Sequence, residues 1–138
     1  PGNTGTIIRT ADAFNIDGVA ITPGSVDVYN PKVVRSTMGS IFRTPIYHIS
    51  NKLEFIEKLK NQKYKIYSTS LEAEKYIHEM DFSGASIILI GNESRGVSTS
   101  MSSLADELIK IPIPGGAESL NAGIASSLIM YEAMRKRI

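Results

Sequence analysis

Three segments of the chain combine small, polar and glycine residues in a way that could hold a ligand. They are residues 68–70 (STS), 91–96 (GNESRG) and 111–121 (IPIPGGAESLN), and each follows an apolar, strand-like run. In the third segment Pro112 and Pro114 prevent hydrogen bonding to a sheet. Ligands of open α/β sheets collect where strands end. We therefore expect the three segments to converge on one site.

The residues of these segments fit some ligands poorly. The chain has no GxxxxGK followed by Ser or Thr and no GxGxxG, and Glu93 would repel a phosphate bound beside it. No GxSxG elbow is present, and neither His48 nor His78 is placed to serve as the base of a hydrolase. The two histidines lack metal-ligand spacing, so both are expected to be structural or surface residues. The pattern alone indicates a nucleoside-like or otherwise uncharged ligand.

A helix is predicted directly after the third segment, with Ser119 as its start signal. Leu120, Ile124, Leu128 and Tyr131 recur at steps of four and three, which is the spacing of one buried stripe. The other residues of the first two turns are small, so a backbone or a ligand could approach closely. This helix is expected to support the ligand loop.

The beginning of the chain predicts another helix. Asn3 is a suitable N-cap, and the apolar spacing predicts a helix over residues 4–14. Arg9 lies about 200° around the helical wheel from Ile7, so it points away from the apolar stripe of this helix. From the residues alone, the expected role of such an arginine is a solvated one, paired with Asp12 on the adjoining turn.

Residues 31–43 predict a further helix, because a proline at its first position favours a helix start. Arg35, Ser36, Ser40 and Arg43 give this segment a polar, basic side.

Strand-like and helix-like runs alternate along the chain, which predicts an α/β fold with a mostly parallel sheet flanked by helices. The strongest strand, residues 85–90, is continuous and apolar, as expected for a strand covered on both faces. Other strands are predicted at residues 18–22, 46–49, 65–70 and 107–111, and further helices are predicted from near Ser50 and over the stretch that ends near Met80.

The composition excludes several classes of protein. With 138 residues, 42% of them hydrophobic, one compact domain is expected. A net charge of +1 does not by itself indicate nucleic-acid binding, and the absence of cysteine excludes disulfides and thiolate chemistry. No apolar run approaches the roughly 18 to 20 residues that span a bilayer, so a soluble, cytoplasmic protein is expected. Because Pro1 leads at once into a helical pattern, a piece is expected to precede it.

Three motifs carry a resemblance to a known family. Residues 3–15 (NTGTIIRTADAFN), 89–98 (LIGNESRGVS) and 111–128 (IPIPGGAESLNAGIASSL) resemble the signature motifs of the SpoU (TrmH-like) family of S-adenosylmethionine-dependent RNA ribose 2'-O-methyltransferases, in the SPOUT superfamily. The resemblance covers nearly the whole chain. It implies a deep trefoil knot near the carboxyl end, an exception to the general absence of knots. It also implies a strand, and in many members an RNA-binding domain, ahead of the first motif; a fragment without them would hold RNA weakly.

The resemblance implies S-adenosylmethionine as the cofactor. The positions that match the family's cofactor contacts, made largely through backbone groups, are Thr69, Gly91, Ile111 and Leu120. The glycines and small residues around them would then allow the backbone to approach the cofactor.

The same resemblance implies the catalytic residues. Arg9 matches the family's catalytic arginine, and its polar companions are Asn3, Glu93, Ser119 and Asn121. Methyl transfer requires the ribose 2'-hydroxyl to be aligned with the methyl carbon and to lose its proton. Arg9 could act as the base, although a free arginine has a pKa of about 12.5 to 13.8, or as a cation that binds the phosphate of the target nucleotide. The sequence leaves both roles open.

The implied partners are RNA, with ribosomal RNA preferred to transfer RNA, and a second copy of the chain. Family members form homodimers through the knotted region, and Arg9 would reach a cofactor held by the other subunit. Neither a metal nor a membrane is implied. The alternatives are a transfer RNA 2'-O-methyltransferase, a non-catalytic RNA-binding relative and a plain nucleotide-binding module. Loss of Arg9 or Asn121 would favour a non-catalytic relative, and both are present.

Overall fold

A computed structural model of the chain describes residues 2–92 and 95–138. The helices are α1 (Gly2–Ala13), α2 (Pro31–Ser36), α3 (Lys52–Asn61), α4 (Thr99–Ser102) and α5 (Ala122–Arg135), and two 3-10 turns span Ser40–Phe42 and Ile77–Glu79. The strands are β1 (Val19–Ile21), β2 (Ile46–His48), β3 (Lys65–Thr69), β4 (Lys75–Tyr76), β5 (Ser86–Leu89) and β6 (Glu107–Lys110).

The strands form two sheets in which all the pairings are parallel within the described residues. β1 pairs with β2, and the larger sheet has the order β4–β6–β3–β5. The predicted α/β class with parallel strands flanked by helices is therefore confirmed. The trefoil knot stays a prediction.

Two hydrophobic clusters lie on opposite faces of the larger sheet. Neighbouring residues of β3 belong to different clusters, because successive side chains of a strand point to opposite faces. Tyr67 packs with Ile129 of α5, and Ile66 packs with Ile56 of α3 and Met101 of α4. Helices therefore cover both faces of this sheet.

β5 shows why a strand covered on both faces can still be half-exposed. Ile87 and Leu89 pack against one cluster and Ile88 against the other, as predicted for a strand with two covered faces. All four of its residues nevertheless remain half-buried, because β5 is the last strand at one edge of its sheet.

The helix predicted over residues 31–43 is interrupted. α2 ends at Ser36, and Met38 and Gly39 adopt left-handed backbone angles with φ of 51° and 87°. A 3-10 turn follows over Ser40–Phe42. Two successive residues with positive φ cannot continue a right-handed helix, so the prediction of one continuous helix is wrong.

The prediction of a helix that ends near residue 80 is also wrong. This stretch forms β4, which pairs with β6, and a single 3-10 turn. Pairing with a neighbouring strand here outweighs the weak helical pattern, because intrinsic propensity is a small term beside tertiary contacts.

The last helix differs from prediction at its start. Its N-cap is Asn121 and not Ser119, since the Asn121 side chain accepts hydrogen bonds from the backbone N–H groups of Gly123 and Ile124 at 2.9 and 3.2 Å. α1 likewise begins at Gly2, so that Asn3 lies inside the helix instead of capping it.

The buried face of α5 is also not the predicted one. Ile124, Leu128 and Tyr131 are between 41% and 52% exposed, whereas the inward face carries Gly123, Ser126, Ile129, Met130 and Ala133. The small residues on this face, Gly123 and Ser126, allow α1 to pack closely against α5, and Ile124 and Leu128 stay exposed. α5 is the longest helix in the described part of the chain, and no helix there has the length and apolar character to cross a bilayer.

Candidate functional site

The carboxyl ends of β3, β5 and β6 meet at one edge of the larger sheet. The Thr69 hydroxyl donates a hydrogen bond to the backbone carbonyl of Leu89 at 3.1 Å, which joins the ends of β3 and β5. The backbone N–H of Ser70 donates to the carbonyl of Ile109 at 3.0 Å, which joins β3 to β6. The three segments expected to converge therefore begin side by side.

The loop after β5 folds back onto Gly91. A Cβ atom at Gly91 would lie 2.0 Å from the carbonyl carbon of Gly96 and 2.2 Å from the nitrogen of Val97. The Gly96 N–H donates to the carbonyl of Asn92 at 2.7 Å, and Gly96 itself has φ of 65°. The space for a side chain at Gly91 is thus filled by backbone, so glycine is required there.

The loop after β6 starts in the core and then becomes exposed. Ile111 is half-buried against the cluster that contains Tyr67, as is Ile90 at the end of the β5 segment. The residues that follow are largely exposed until Leu120, which is half-buried. A Cβ atom added at Gly115 or Gly116 would have no described atom within 4 Å. Ile111 and Leu120, both half-buried, therefore lie at the two ends of an open loop that begins at the carboxyl end of β6.

Asn3 and Asn121 meet at the start of α5. A Cβ atom at Gly123 would lie 3.1 Å from Oδ1 of Asn3 and 3.1 Å from Oδ1 of Asn121. Further along, the hydroxyls of Thr10 and Ser127 are 3.1 Å apart. The two helices therefore run side by side in the same direction, and the missing side chain at Gly123 lets the two amides come together.

Arg9 lies on a different side of α1. It follows Asn3 by six residues, which places it about 120° around the helix and about 9 Å along it. Its side chain is exposed and makes no hydrogen bond or ion pair with residues 2–92 or 95–138. Within one chain, the structure therefore does not direct Arg9 toward Asn3 and Asn121. Ser119 is exposed in the loop before α5, and Glu93 lies outside the described residues.

Asp12 pairs with Arg43 and not with Arg9. An oxygen of the Asp12 carboxylate lies 2.8 Å from Nη2 of Arg43, and it accepts a hydrogen bond from the Ser40 hydroxyl at 2.8 Å. The hydrogen bonds from Arg43 and then from Ser40 lower the pKa of Asp12. The expected pairing of Arg9 with Asp12 is therefore wrong. Nothing in the sequence marked Arg43 as the partner, because the two residues are 31 positions apart.

An open cavity of about 310 Å³ lies elsewhere, at the carboxyl ends of β1 and β2. Its lining includes Thr22, Ser25, His48 and Ser50, and none of the predicted site residues. Both histidines are exposed, as expected for surface residues, and the described residues contain no group of three or more potential metal-binding side chains.

Comparison with known proteins places these features in context. Residues 1–131 match the model of the SpoU rRNA Methylase family. The chain is 36% identical, over 100% of its own length and 50% of the relative, to the 23S rRNA (uridine(2479)-2'-O)-methyltransferase of Streptomyces viridochromogenes. It is also 36% identical, over 95% of its length and 52% of the relative, to the 23S rRNA (guanosine(2553)-2'-O)-methyltransferase RlmP of Bacillus subtilis.

The fold is also similar to solved structures of rRNA methyltransferases. The chain is similar to an AdoMet-bound rRNA methyltransferase from Sinorhizobium meliloti, with a TM-score of 0.93 and 35% identity over 100% of this chain and 53% of that one. The chain spans about half the length of the curated relatives it matches.

Proposed function

The chain belongs to the SpoU rRNA methylase family, and from this we propose that it is the catalytic domain of an S-adenosylmethionine-dependent methyltransferase that acts on a ribose 2'-hydroxyl of RNA. The observation that carries the proposal is that the carboxyl ends of β3, β5 and β6 lie side by side. There Thr69 and Ser70 donate hydrogen bonds to the neighbouring strands β5 and β6. Ribosomal RNA is the preferred substrate, because two relatives with 36% identity are named 23S rRNA methyltransferases. A cytoplasmic location follows from that preference.

Thr69, Gly91, Ile111 and Leu120 would hold the cofactor. Their positions fit a nucleoside: the crowded turn at Gly91 presents backbone groups, and Ile111 and Leu120 are half-buried apolar residues. The Thr69 hydroxyl is already committed to the Leu89 carbonyl, so its role would be to hold the ends of β3 and β5 at a fixed distance. When bound, S-adenosylmethionine supplies the electrophilic methyl group.

The polar residues would position the RNA for the reaction. Asn3 and Asn121, whose side-chain oxygens both approach Gly123, offer amide groups that can orient the ribose. Ser119 and Glu93 would complete the polar surroundings of the 2'-hydroxyl. Arg9 is exposed and keeps its guanidinium available to a phosphate or to the hydroxyl itself.

The placement of Arg9 supports a site that two copies of the chain complete together. Arg9 points away from Asn3 and Asn121 of its own chain, so a second copy would have to bring an arginine to this site. The exposed apolar residues Ile124 and Leu128 of α5 provide a surface for such a partner, because a contiguous apolar patch on a protein surface marks an interface. We therefore include a homodimer in the proposal.

Replacing Leu128 by glutamate is expected to convert the dimer into monomers. A carboxylate in the centre of an apolar interface would be buried without a partner, which weakens association by several kcal/mol, on the order of 2–5. Sedimentation equilibrium measures the change. Leu53→Glu on α3, a leucine of similar exposure, is the matched control and should leave the mass unchanged. A wild-type chain that is monomeric at high concentration would contradict the dimer.

The function is tested by methyl transfer from isotopically labelled S-adenosylmethionine to transcripts of 23S ribosomal RNA and of transfer RNAs. Digestion to nucleosides and mass spectrometry would identify the modified position. The proposal expects label on the ribose of ribosomal RNA. Label in transfer RNA alone would support the transfer RNA alternative, and label on a base would contradict ribose chemistry. Cofactor binding without label in either RNA would indicate a non-catalytic relative.

A further inference from the structure

We propose that the outward side of α2 and the turn after it binds single-stranded RNA beside the target nucleotide. This α2 surface consists of Arg35, Met38, Phe42 and Arg43. The inference rests on the proposed function, since it assigns to that site a docking place for the nucleotides that flank the modified ribose.

The large side chains of the α2 surface are held in solvent. Met38 is 68% exposed and Phe42 is 86% exposed. Met38 also has φ of 51°, a backbone conformation that is unfavourable for a long side chain. Residues kept in such conformations cluster at functional sites, where surrounding structure enforces them. Met38 gains no burial from this conformation within one chain, so packing inside the chain does not explain why its side chain is directed into solvent.

The inward side of the same segment fixes its position on α1. A Cβ atom at Gly5 would lie 1.6 Å from the hydroxyl oxygen of Ser36, so α1 and α2 are in close contact. Thr37, Ser40 and Thr44 are buried, and the Thr44 hydroxyl donates to the carbonyl of Ile8 at 3.4 Å. The α2 surface is therefore the outer side of a firmly packed segment.

Positive charge is concentrated around this surface. Residues 2–13 and 31–44 contain four basic side chains, namely Arg9, Lys32, Arg35 and Arg43, and one acidic side chain, Asp12. The chain has fifteen basic and fourteen acidic residues, so eleven basic and thirteen acidic residues remain outside these segments. A chain of almost balanced charge thus carries a local cationic region, which is the electrostatic footprint of a nucleic-acid partner.

The α2 surface lies next to Arg9. Asp12 follows Arg9 by three residues and so neighbours it on the exposed side of α1. Arg43 is held to Asp12 at 2.8 Å. If Arg9 binds the phosphate of one nucleotide, the adjacent nucleotides of the RNA would therefore lie close to Arg43 and to Phe42, which precedes Arg43 in the chain.

Single-stranded RNA fits this combination better than a second copy of the chain. Unpaired nucleotides offer phosphates to arginine and base faces to an exposed aromatic ring, whereas a duplex hides the base faces. The apolar surface on α5 differs in kind, because residues 119–131 contain no charged residue. The two surfaces thus suit different partners, with α5 facing protein and the α2 surface facing RNA.

The test measures binding of a fluorescein-labelled RNA of mixed sequence, about 12 nucleotides long, to the full 138-residue chain at several salt concentrations. Phe42→Ala should weaken binding about tenfold without changing the salt dependence, because it removes stacking and no charge. Arg35→Ala should make the negative slope of log K against log salt shallower by about 0.7, because one phosphate contact is lost. Ile138→Ala and Lys58→Ala, at exposed positions outside the surface, are the matched controls and should bind as the wild type does.

Three results would overturn the inference. These are unchanged RNA affinity in both Phe42→Ala and Arg35→Ala, equal affinity of the wild type for the single strand and for its duplex, and failure of the wild-type chain to bind the single strand. A change of oligomeric state in Phe42→Ala would assign the surface to a second copy of the chain instead. S-adenosylmethionine binding, measured on the same samples, separates this inference from the proposed function. Normal cofactor binding together with failure of these tests would contradict RNA binding by the α2 surface and leave the proposed cofactor site unaffected.

Discussion

Replacing Arg9 by alanine is expected to reduce methyl transfer by at least about 100-fold, the scale of one lost acid–base or charge-stabilising group. Cofactor affinity and the free energy of unfolding should stay unchanged. Arg9 is exposed and makes no hydrogen bond or ion pair with residues 2–92 or 95–138, so folding does not depend on it. Single-turnover kinetics with labelled cofactor measure the change. Lys58→Ala, which removes an exposed cation from α3, is the control and should retain full activity.

The substitution Arg9→Lys separates the two possible roles of this residue. A lysine keeps the positive charge but loses the fork of donors that binds phosphate. If Arg9 acts as a cation, the lysine variant should keep part of the activity, and its rate should fall as pH approaches the lysine pKa of about 10.4. If the residue at position 9 acts as the base, the activity of the lysine variant should instead rise with pH over that range, because the neutral amine is the form that accepts a proton. Full activity in Arg9→Ala would remove the residue from the mechanism altogether.

Gly91→Ala is expected to destabilise the chain strongly and to abolish cofactor binding. The added Cβ would lie 2.0 Å from the carbonyl carbon of Gly96, so the backbone of the loop would have to move. Inserting a single methylene into a packed region costs about 1–3 kcal/mol, and a clash with backbone should reach the upper end of that range. Urea unfolding and a cofactor titration on the same variant measure both effects.

Gly84→Ala provides the matched control for this substitution. Gly84 lies in the loop before β5, and a Cβ there would meet no described atom within 4 Å. Its free energy of unfolding should therefore stay within about 0.5 kcal/mol of the wild type. A Gly91→Ala variant as stable as Gly84→Ala, with normal cofactor binding, would mean that the loop does not close on Gly91.

The sequence predicted the framework of the fold better than its irregular parts. The ends of β3 and β5 were predicted to within one residue, because apolar runs followed by small polar residues mark where buried strands stop. The helix break was predicted poorly, because Gly39 is a residue type that often ends a helix but Met38, a good helix former, gives no sign of its own positive φ. The short strand β4 depends on pairing with β6, a contact that no local pattern encodes.

The inward face of α5 shows a different limit of sequence reasoning. The pattern of Leu120, Ile124, Leu128 and Tyr131 is a regular apolar stripe, and so it predicted burial. The helix also carries a second face with Gly123 and Ser126, and α1 packs there because small side chains allow close approach. An apolar stripe identifies a surface that needs a partner, but it does not show whether that partner belongs to the same chain.

The motifs name candidate site residues, whose roles stay a prediction, but they give no sign of the distant contacts that support them. Asn3 and Asn121 were both predicted from motifs, and the structure brings their side chains together at Gly123. The contact of Asp12 with Arg43 joins two segments whose order in the sequence gives no sign of their proximity.

The most direct test of the central claim is a calorimetric titration of the chain with S-adenosylmethionine, repeated with Leu120→Trp. If the segments after β3, β5 and β6 form the cofactor site, the wild type should show saturable binding. Leu120→Trp should lose that binding, because the larger side chain would crowd the part of the site proposed to hold the adenosine. A folded wild-type chain that does not bind, or a Leu120→Trp variant that binds as tightly as the wild type, would contradict it.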